Sequence, residues 1–262
     1  MEIAVFAGKV EMGQAAAAKA AELLRDAIAR KGHATFATAT GASQFEFLDA
    51  LTSVPDLDWS KTTMFHLDEY IGLPETHPAS FRRYLNERLV TRVHPGTVHL
   101  IQGDAPDPQA ECQRLHRLLV GREVDVSFVG IGENGHLAFN DPPADLKVED
   151  PYIIVELDES CRRQQLGEGW FASLDAVPRR AISMSIKQIM MSRAIVCTVP
   201  ERRKAQAVHD CFTGEVTPLH PASILRQHEH AHVFLDADAA SLLNHKEDDR
   251  CCGDFGSMIY GR

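Results

Sequence analysis

Short apolar runs rich in β-branched and aromatic residues alternate along the chain with segments whose apolar positions recur every three or four residues. The first pattern is typical of buried strands and the second of amphipathic helices, so their alternation predicts an α/β fold. The clearest helix covers residues 15–28, where apolar side chains fall on one face and Lys31-Gly32 follows as a stop. The predicted strands are Glu2–Ala7, Ala34–Thr40, Thr63–Leu67, Val98–Ile101, Val124–Ile131, Ile153–Leu157, Ile195–Val199 and His232–Leu235, and the predicted helices are Gly13–Arg30, Gln44–Thr52, Ala79–Val90, Pro108–Leu119 and Glu201–Cys211.

The run VDVSFVGI at 124–131 is almost continuously apolar, which is typical of a central parallel strand covered on both faces. Open α/β sheets bind their ligands beyond the carboxyl ends of such strands, so the residues after this run are candidates for a site. No repeat, low-complexity stretch or Pro/Ser-rich linker marks a boundary. We therefore predict one domain over 1–262, with a flexible tail at about 246–262.

The charge balance excludes some classes of function. The chain has 27 Lys and Arg against 37 Asp and Glu, a formal net charge of −10, which argues against a general binder of nucleic acid or membrane surfaces. It contains neither an apolar stretch of membrane-spanning length nor an N-terminal pattern of a secretory signal. Six scattered cysteines fit reduced thiols, and we expect a cytoplasmic protein.

Three polar groups follow the apolar run at 124–131 within eight residues: Asn134, His136 and Asp141. Glycines at 130, 132 and 135 allow the backbone there to turn sharply and approach a ligand. A histidine beside an amide and a carboxylate is suited to proton transfer. We interpret the segment as an active-site loop, and the alternative is a glycine-rich turn with an incidental histidine.

Two further clusters follow predicted strands. Asp68 and Glu69 form an acidic pair, of which one member is expected to act as a base, unless the pair only caps a helix or lies in a solvated turn. The segment 40–43 (TGAS) opens a helix, where small residues and free N–H groups favour phosphate. It lacks the Walker lysine and the dinucleotide spacing, so neither a nucleoside triphosphate nor NAD is implied, and an ordinary helix start remains the alternative.

Together these clusters resemble the glucosamine-6-phosphate deaminase (isomerase) family, with its sugar-phosphate isomerase and 6-phosphogluconolactonase relatives. The resemblance extends from the strand before Thr40 to about Asp236, and its most specific motifs are LDEYIGLP at 67–74, HPASFRRYL at 77–85 and GIGENGHLAFNDP at 130–142. It implies a Rossmann-like three-layer α/β/α sandwich with a mostly parallel central sheet and a helical lid at about 143–175. It also implies conversion of an amino-sugar 6-phosphate and water to a ketose 6-phosphate and ammonia, with a small sugar phosphate as partner and neither an organic cofactor nor a metal.

The resemblance also implies roles for single residues. Asp68 would move a proton between C2 and C1 of the opened sugar, and His136 would open the ring, assisted by Asn134 and Asp141. The residues expected to bind the sugar phosphate are Thr40, Gly41, Ala42, Ser43, Glu69, Gly135, Arg162, Arg163 and Lys204.

The chain departs from the common pattern of the family at three places. Asn134 stands where an aspartate is usual, and Asp141 is one methylene shorter than the usual glutamate, so an amide orients His136 and any relay rests on Asp141 or water. Arg162 and Arg163 lie near, but are not aligned with, the expected phosphate-binding arginine of the lid. The basic residues of allosterically activated members are replaced by Pro151 and Ile153, so we expect no amino-sugar-phosphate activator.

Two other functions remain open at this point: a 6-phosphogluconolactonase-type hydrolase, and a sugar-phosphate sensor without activity. The sequence does not separate glucosamine from galactosamine as substrate, and homo-oligomerisation is open. Alternating histidines at 228, 230 and 232 could hold a metal, although a polar lead into a strand is the favoured interpretation. Cys251-Cys252 is interpreted as part of the flexible tail rather than as a metal or redox site.

Overall fold

The computed structural model describes residues 1–243 and 258–260. The strands are β1 (Glu2–Phe6), β2 (Ala34–Thr38), β3 (Thr62–His66), β4 (Asp68–Tyr70), β5 (Thr97–His99), β6 (Val126–Val129), β7 (Tyr152–Glu156), β8 (Arg180–Met184), β9 (Ala194–Val199), β10 (Ala231–Asp236) and β11 (Met258–Tyr260). The α-helices are α1 (Lys9–Lys31), α2 (Phe45–Leu51), α3 (Phe81–Leu85), α4 (Thr91–Val93), α5 (Pro108–Leu119), α6 (Glu159–Gly167), α7 (Ile186–Met190) and α8 (Ala205–Thr213). A π-helical turn, Asn86–Val90, joins α3 to α4, and 3₁₀ turns lie at Ala42–Gln44, Trp59–Lys61, Leu174–Ala176, Arg202–Lys204 and Pro221–Gln227.

Eight of these strands form one sheet in the order β11-β1-β10-β9-β6-β2-β3-β5, and all neighbouring pairs are parallel. Adjacent residues of one strand enter opposite layers: Phe36 packs with α1 and α2, whereas Ala37 packs with α5 and α8. β6 is buried along its whole length, as the apolar run at 124–131 predicted. The three-layer α/β/α sandwich with a parallel central sheet is therefore confirmed.

Helix α1 begins at Lys9, four residues before the predicted start at Gly13. Gly13 lies instead where α1 crosses α2, and a Cβ added there would come within 2.7 Å of the Glu46 carbonyl carbon. The glycine thus permits a close helix contact rather than marking a helix end. The predicted stop is confirmed, because Gly32 has a left-handed φ of 81° and its N–H donates to the Ile28 carbonyl.

A second, antiparallel sheet of three strands, in the order β4-β8-β7, was not predicted. The chain passes into it directly from the main sheet through Leu67, whose N–H donates to Thr38 O and whose carbonyl accepts from Met184 N. The predicted strand at Ile153–Leu157 exists as β7 but belongs to this smaller sheet. The expected lid at 143–175 is consequently part strand, and its α-helical part is α6.

Three further predictions concern membrane-spanning helices, the histidines at 228, 230 and 232, and the C-terminal tail. No helix in the described part of the chain is long and apolar enough to cross a membrane. His228 contacts the Ser192 carbonyl and His232 pairs with Glu2, so these two histidines have separate protein partners and do not support the metal alternative. Of the tail, the structure describes Met258–Tyr260, which pair with β1; His245 and Cys251-Cys252 lie outside the described residues, and the flexibility of the tail stays a prediction.

Candidate active site

One cavity lies at the carboxyl ends of β2, β6 and β9, where an open α/β sheet is expected to bind its ligand. The turn after β2, the loop after β6, the turn after β9, β4 and α6 all contribute to its wall. Residues predicted from four distant segments converge there. Those that line the cavity are Thr40, Gly41, Ser43, Asp68, His136 and Lys204.

Asp68 enters the cavity from β4, where it lies in register with Ser183 of β8. Its side chain is almost completely buried, and only 6% of the residue is exposed. Burial, together with the neighbouring Glu69, raises the pKa of Asp68 to about 8. A carboxylate whose pKa lies near the working pH is a stronger base than an ordinary one and still ionises, as a general base requires.

Glu69 does not line the cavity, and its contact with substrate stays a prediction. Successive side chains of a strand point to opposite faces, so those of Asp68 and Glu69 lie on opposite sides of β4. The Glu69 carboxylate accepts hydrogen bonds from Tyr70 N at 2.9 Å, Phe81 N at 3.2 Å, Arg82 N at 2.8 Å and Ser80 Oγ at 3.0 Å. It therefore anchors the start of α3 beneath the site.

His136 is held in the loop after β6 with 7% of the residue exposed. Its Nδ1 lies 3.0 Å from Asp141 Oδ1, so the two side chains form a dyad. The ring packs directly over Gly132, where an added Cβ would be 2.3 Å from ring atoms. Gly135 shapes the same loop with a φ of 83° and accepts from Ala222 N at 2.9 Å; it contributes loop geometry and does not line the cavity.

Asn134 supports the dyad without touching the imidazole ring. Its Oδ1 accepts from the backbone N–H of His136 at 3.1 Å, and its Nδ2 donates to Asp141 at 3.1 Å and to Asp158 at 3.3 Å. Burial disfavours the ionised form of Asp141, but contacts with His136, Asp158 N and Asn134 outweigh it and hold the pKa of Asp141 below its ordinary value. Asn134 therefore orients His136 through the backbone and through Asp141.

The turn after β2 contributes Thr40, Gly41 and Ser43 to the cavity wall. Ala42 lines a neighbouring cavity together with Phe45 and does not line this one. Tyr84 fixes the turn from outside, because its hydroxyl donates to Gly41 O at 3.0 Å.

Lys204 reaches the cavity from the 3₁₀ turn Arg202–Lys204 that follows β9. The turn begins at Glu201, which has a φ of 79° and donates its N–H to both oxygens of Asp236, a strained conformation that this support holds in place. Burial lowers the pKa of Lys204 to about 8. Arg203 adds a second cation to the wall while paired with Glu133 and Glu201; sequence reasoning overlooked it, although it is adjacent to Lys204 in the same basic run.

The two predicted lid arginines do not line the cavity, and their contact with phosphate stays a prediction. Arg162 is buried and its guanidinium donates to the carbonyls of Leu174 and Val177. Arg163 is exposed and pairs with Glu159 one helical turn away. Helix α6 instead presents Gln164, Gln165 and Glu168 to the cavity, and no sequence pattern marked these three residues.

The comparisons with known proteins agree with this geometry. Residues 7–234 match the profile of the family described as glucosamine-6-phosphate isomerases/6-phosphogluconolactonase. The chain belongs to this family. Its curated relatives include the glucosamine-6-phosphate deaminase of Exiguobacterium sp., 42% identical over 80% of this chain and 79% of the relative. Another is the glucosamine-6-phosphate deaminase of Oenococcus oeni, 33% identical over 94% of this chain and all of the relative.

Solved structures support the same membership. A solved structure described as a monomeric glucosamine-6-phosphate deaminase matches this chain with a TM-score of 0.84 and 31% identity. The match covers 92% of this chain and 100% of that chain. A 6-phosphogluconolactonase from Shewanella baltica matches with a TM-score of 0.76 but 19% identity, over 90% of this chain and 98% of that one. The second likeness shows the shared fold alone.

Proposed function

We propose that this chain is a deaminating aldose–ketose isomerase that converts glucosamine 6-phosphate and water to fructose 6-phosphate and ammonia. The observation that carries the proposal is the convergence of Asp68, His136 and Lys204 on one cavity. The names of the relatives at 42% and 33% identity support the deaminase over the other activities of the family.

His136 would act first, on the closed ring of the sugar. Its imidazole lines the cavity, and the Asp141 carboxylate 3.0 Å from Nδ1 favours the ring form that carries a proton there. The opposite nitrogen can then accept a proton from the anomeric hydroxyl and return one to the ring oxygen.

Asp68 would then act on the opened chain. Its ionised carboxylate removes the proton from C2 while O1 gains a proton from the substrate's ammonium group, which gives an enolamine. The acid so formed then delivers its proton to C1, and a C=N bond is left at C2. Water adds to that carbon, and ammonia departs as the ketone forms. The raised pKa of Asp68, about 8, favours both halves of the transfer, since the acid formed in the first half is the donor in the second.

The phosphate would lie at the end of the cavity that Lys204, Arg203 and the 40–43 turn enclose. Lysine and arginine both form charge-assisted hydrogen bonds with phosphate oxygens. With the phosphate held there, the reacting carbons lie toward Asp68 and His136. We further propose that the protein acts in the cytoplasm.

The experiment that tests this function is ammonia release from purified protein, measured with glucosamine 6-phosphate, galactosamine 6-phosphate and 6-phosphogluconolactone in parallel. We expect ammonia and fructose 6-phosphate in equal amounts from the first substrate. Hydrolysis of the lactone without ammonia release would identify the hydrolase, and binding of all three compounds without turnover would identify a sensor.

A further inference from the structure

The start of the lid helix α6 is tied to the catalytic loop by one amide and two carboxylates. Asn134 Nδ2 donates to Asp141 Oδ1 at 3.1 Å and to Asp158 Oδ2 at 3.3 Å. Asp158 is also bonded directly to Asp141, because its backbone N–H donates to Asp141 Oδ2 at 3.0 Å. The three side chains thus form a closed network, and the dyad partner of His136 is one of its members.

Asp158 does more in this network than cap a helix. As the N-cap of α6 it accepts the N–H of Cys161 through Oδ1, which a serine or asparagine would do equally well. Its second oxygen is turned to Asn134, outside the helix. The side chain therefore serves the helix with one oxygen and the catalytic loop with the other.

The identity of residue 134 is matched to the charge of Asp158. The amide of Asn134 provides two protons, and each is directed at a carboxylate. An aspartate at 134 would provide none and would place a carboxylate oxygen where the amide nitrogen now lies 3.1 Å from Asp141 and 3.3 Å from Asp158, so that like charges repel. A chain with Asp158 thus requires a donor at 134, which accounts physically for the departure from the common motif.

We propose that Asp158 is a positioning residue for His136, which acts by fixing Asp141 through Asn134 and so couples the lid helix to ring opening. Asp158 touches neither the imidazole nor the cavity, and its influence passes through Asp141. As a description of a catalytic step the inference rests on the proposed function, but the link between Asp158 and the protonation of His136 can be measured without a substrate.

The test combines three variants, Asn134→Asp, Asp158→Asn and the double variant, with two measurements. The first measurement is the pKa of His136, followed by NMR of the labelled imidazole in substrate-free protein. The second is the pH dependence of kcat/KM for ammonia release. The other ionisable groups around the ring stay the same in all three variants: Asp68, Asp141, Cys161, Glu168, Arg203 and Lys204.

We expect Asn134→Asp to raise the pKa of His136 by about one unit, because the ring gains a negative neighbour, and to lower kcat at least tenfold. Adding Asp158→Asn should reverse much of both changes, since the number of carboxylates returns to two. Asp158→Asn alone keeps the helix cap and should lower the pKa of His136 slightly. Strictly additive effects in the double variant would overturn the proposal.

Two further variants separate positioning from simple support of the helix. Asp158→Ser keeps a cap but removes the contact with Asn134, and it should change the pH profile with little change in melting temperature. Asp107→Ser makes the same replacement at the N-cap of α5, away from the site, and should leave the pH profile unchanged. Should Asn134→Asp fail to fold, an unaltered His136 pKa in Asp158→Asn would by itself reject the coupling. A wild-type protein that releases no ammonia would reject the proposed function but leave the NMR result to decide this inference.

Discussion

Strand β4 places two neighbouring acids in different surroundings: burial raises the pKa of both, but Glu69, with a pKa of about 7, accepts hydrogen bonds that oppose this rise and Asp68 does not. On the cavity side, Asp68 accepts no hydrogen bond from any described residue, and burial beside a second acid raises its pKa to about 8. On the packed side, Glu69 accepts four hydrogen bonds and lies 3.6 Å from the Arg82 guanidinium.

The difference lies in the donors around each acid rather than in depth, because both side chains are buried. A buried carboxylate surrounded by donors is a structural group, whose removal leaves those donors without partners. A buried carboxylate without donors is costly for the folded protein and is retained where it performs chemistry. We therefore expect substitutions on the cavity side to change turnover or substrate binding and substitutions on the packed side to change stability.

The largest effect on turnover is expected from Asp68→Asn. The amide has nearly the same shape but cannot accept the C2 proton, so kcat should fall by about 10²–10⁴-fold while phosphate affinity and melting temperature change little. Steady-state kinetics measures the fall in kcat and the phosphate affinity, and thermal unfolding measures the melting temperature. Near-wild-type ammonia release by this variant would show that Asp68 is not the base.

Glu69→Ala should produce the complementary result on the packed side. Three backbone N–H groups and the Ser80 hydroxyl would lose their acceptor, and the buried Arg82 would lose a carboxylate 3.6 Å away, which together typically destabilises a protein by about 3–5 kcal/mol. Urea unfolding measures this loss. Glu69→Gln retains an acceptor oxygen and serves as the matched control with a smaller loss, and a variant that is stable but inactive would contradict the division between the two sides.

Lys204→Ala extends the comparison across the cavity to the phosphate end. It should raise KM by about 10- to 150-fold, the equivalent of losing one charge-assisted contact of about 1.5–3 kcal/mol. Inhibition by inorganic phosphate should weaken in parallel. Arg163→Ala is the control, because that arginine is exposed and pairs with Glu159; equal weakening in both variants would restore the lid arginine as a phosphate ligand.

The smallest effect concerns pH. Asp68 must be ionised and Lys204 protonated, so kcat/KM should rise with pH through about 8 and fall again above about 8, which gives a narrow maximum. Arginine stays protonated throughout this range, so Lys204→Arg should retain the acid limb and lose the alkaline fall. When kcat/KM of each protein is divided by its own value at pH 7, the ratio at pH 9 should be up to about tenfold higher for the variant than for wild type. Identical alkaline limbs would assign that limb to another group.

The predicted residues that do line the cavity share one property: they follow strands of the main sheet that are buried along their whole length. His136 follows β6 and Lys204 follows β9, and the carboxyl ends of parallel strands meet at one edge of a sheet. That rule needs only the strand positions, which a continuous apolar pattern reveals. The same pattern predicted an α/β fold with a central parallel strand covered on both faces, whereas the three-layer sandwich was implied by the family resemblance.

What the sequence could not supply depends on short or irregular elements. β4 has three residues, too few for an alternating pattern, so the opposite directions of Asp68 and Glu69 could not be foreseen. The direction of a helical side chain also depends on how the helix docks, which is why Arg162 was expected in the cavity and was found bonded to the carbonyls after α6. Asp158 lay in a segment with no recognised motif.

The pairing of β4 with β8 also has a consequence for the order in which the protein is made and folds. Asp68 is held in register with Ser183, so the base cannot be fixed until more than a hundred further residues have left the ribosome. Closing so long a loop is slow compared with forming local contacts. During refolding, helix content should therefore recover well before activity. Nascent chains that end before β8 should contain Asp68 but have no catalytic activity.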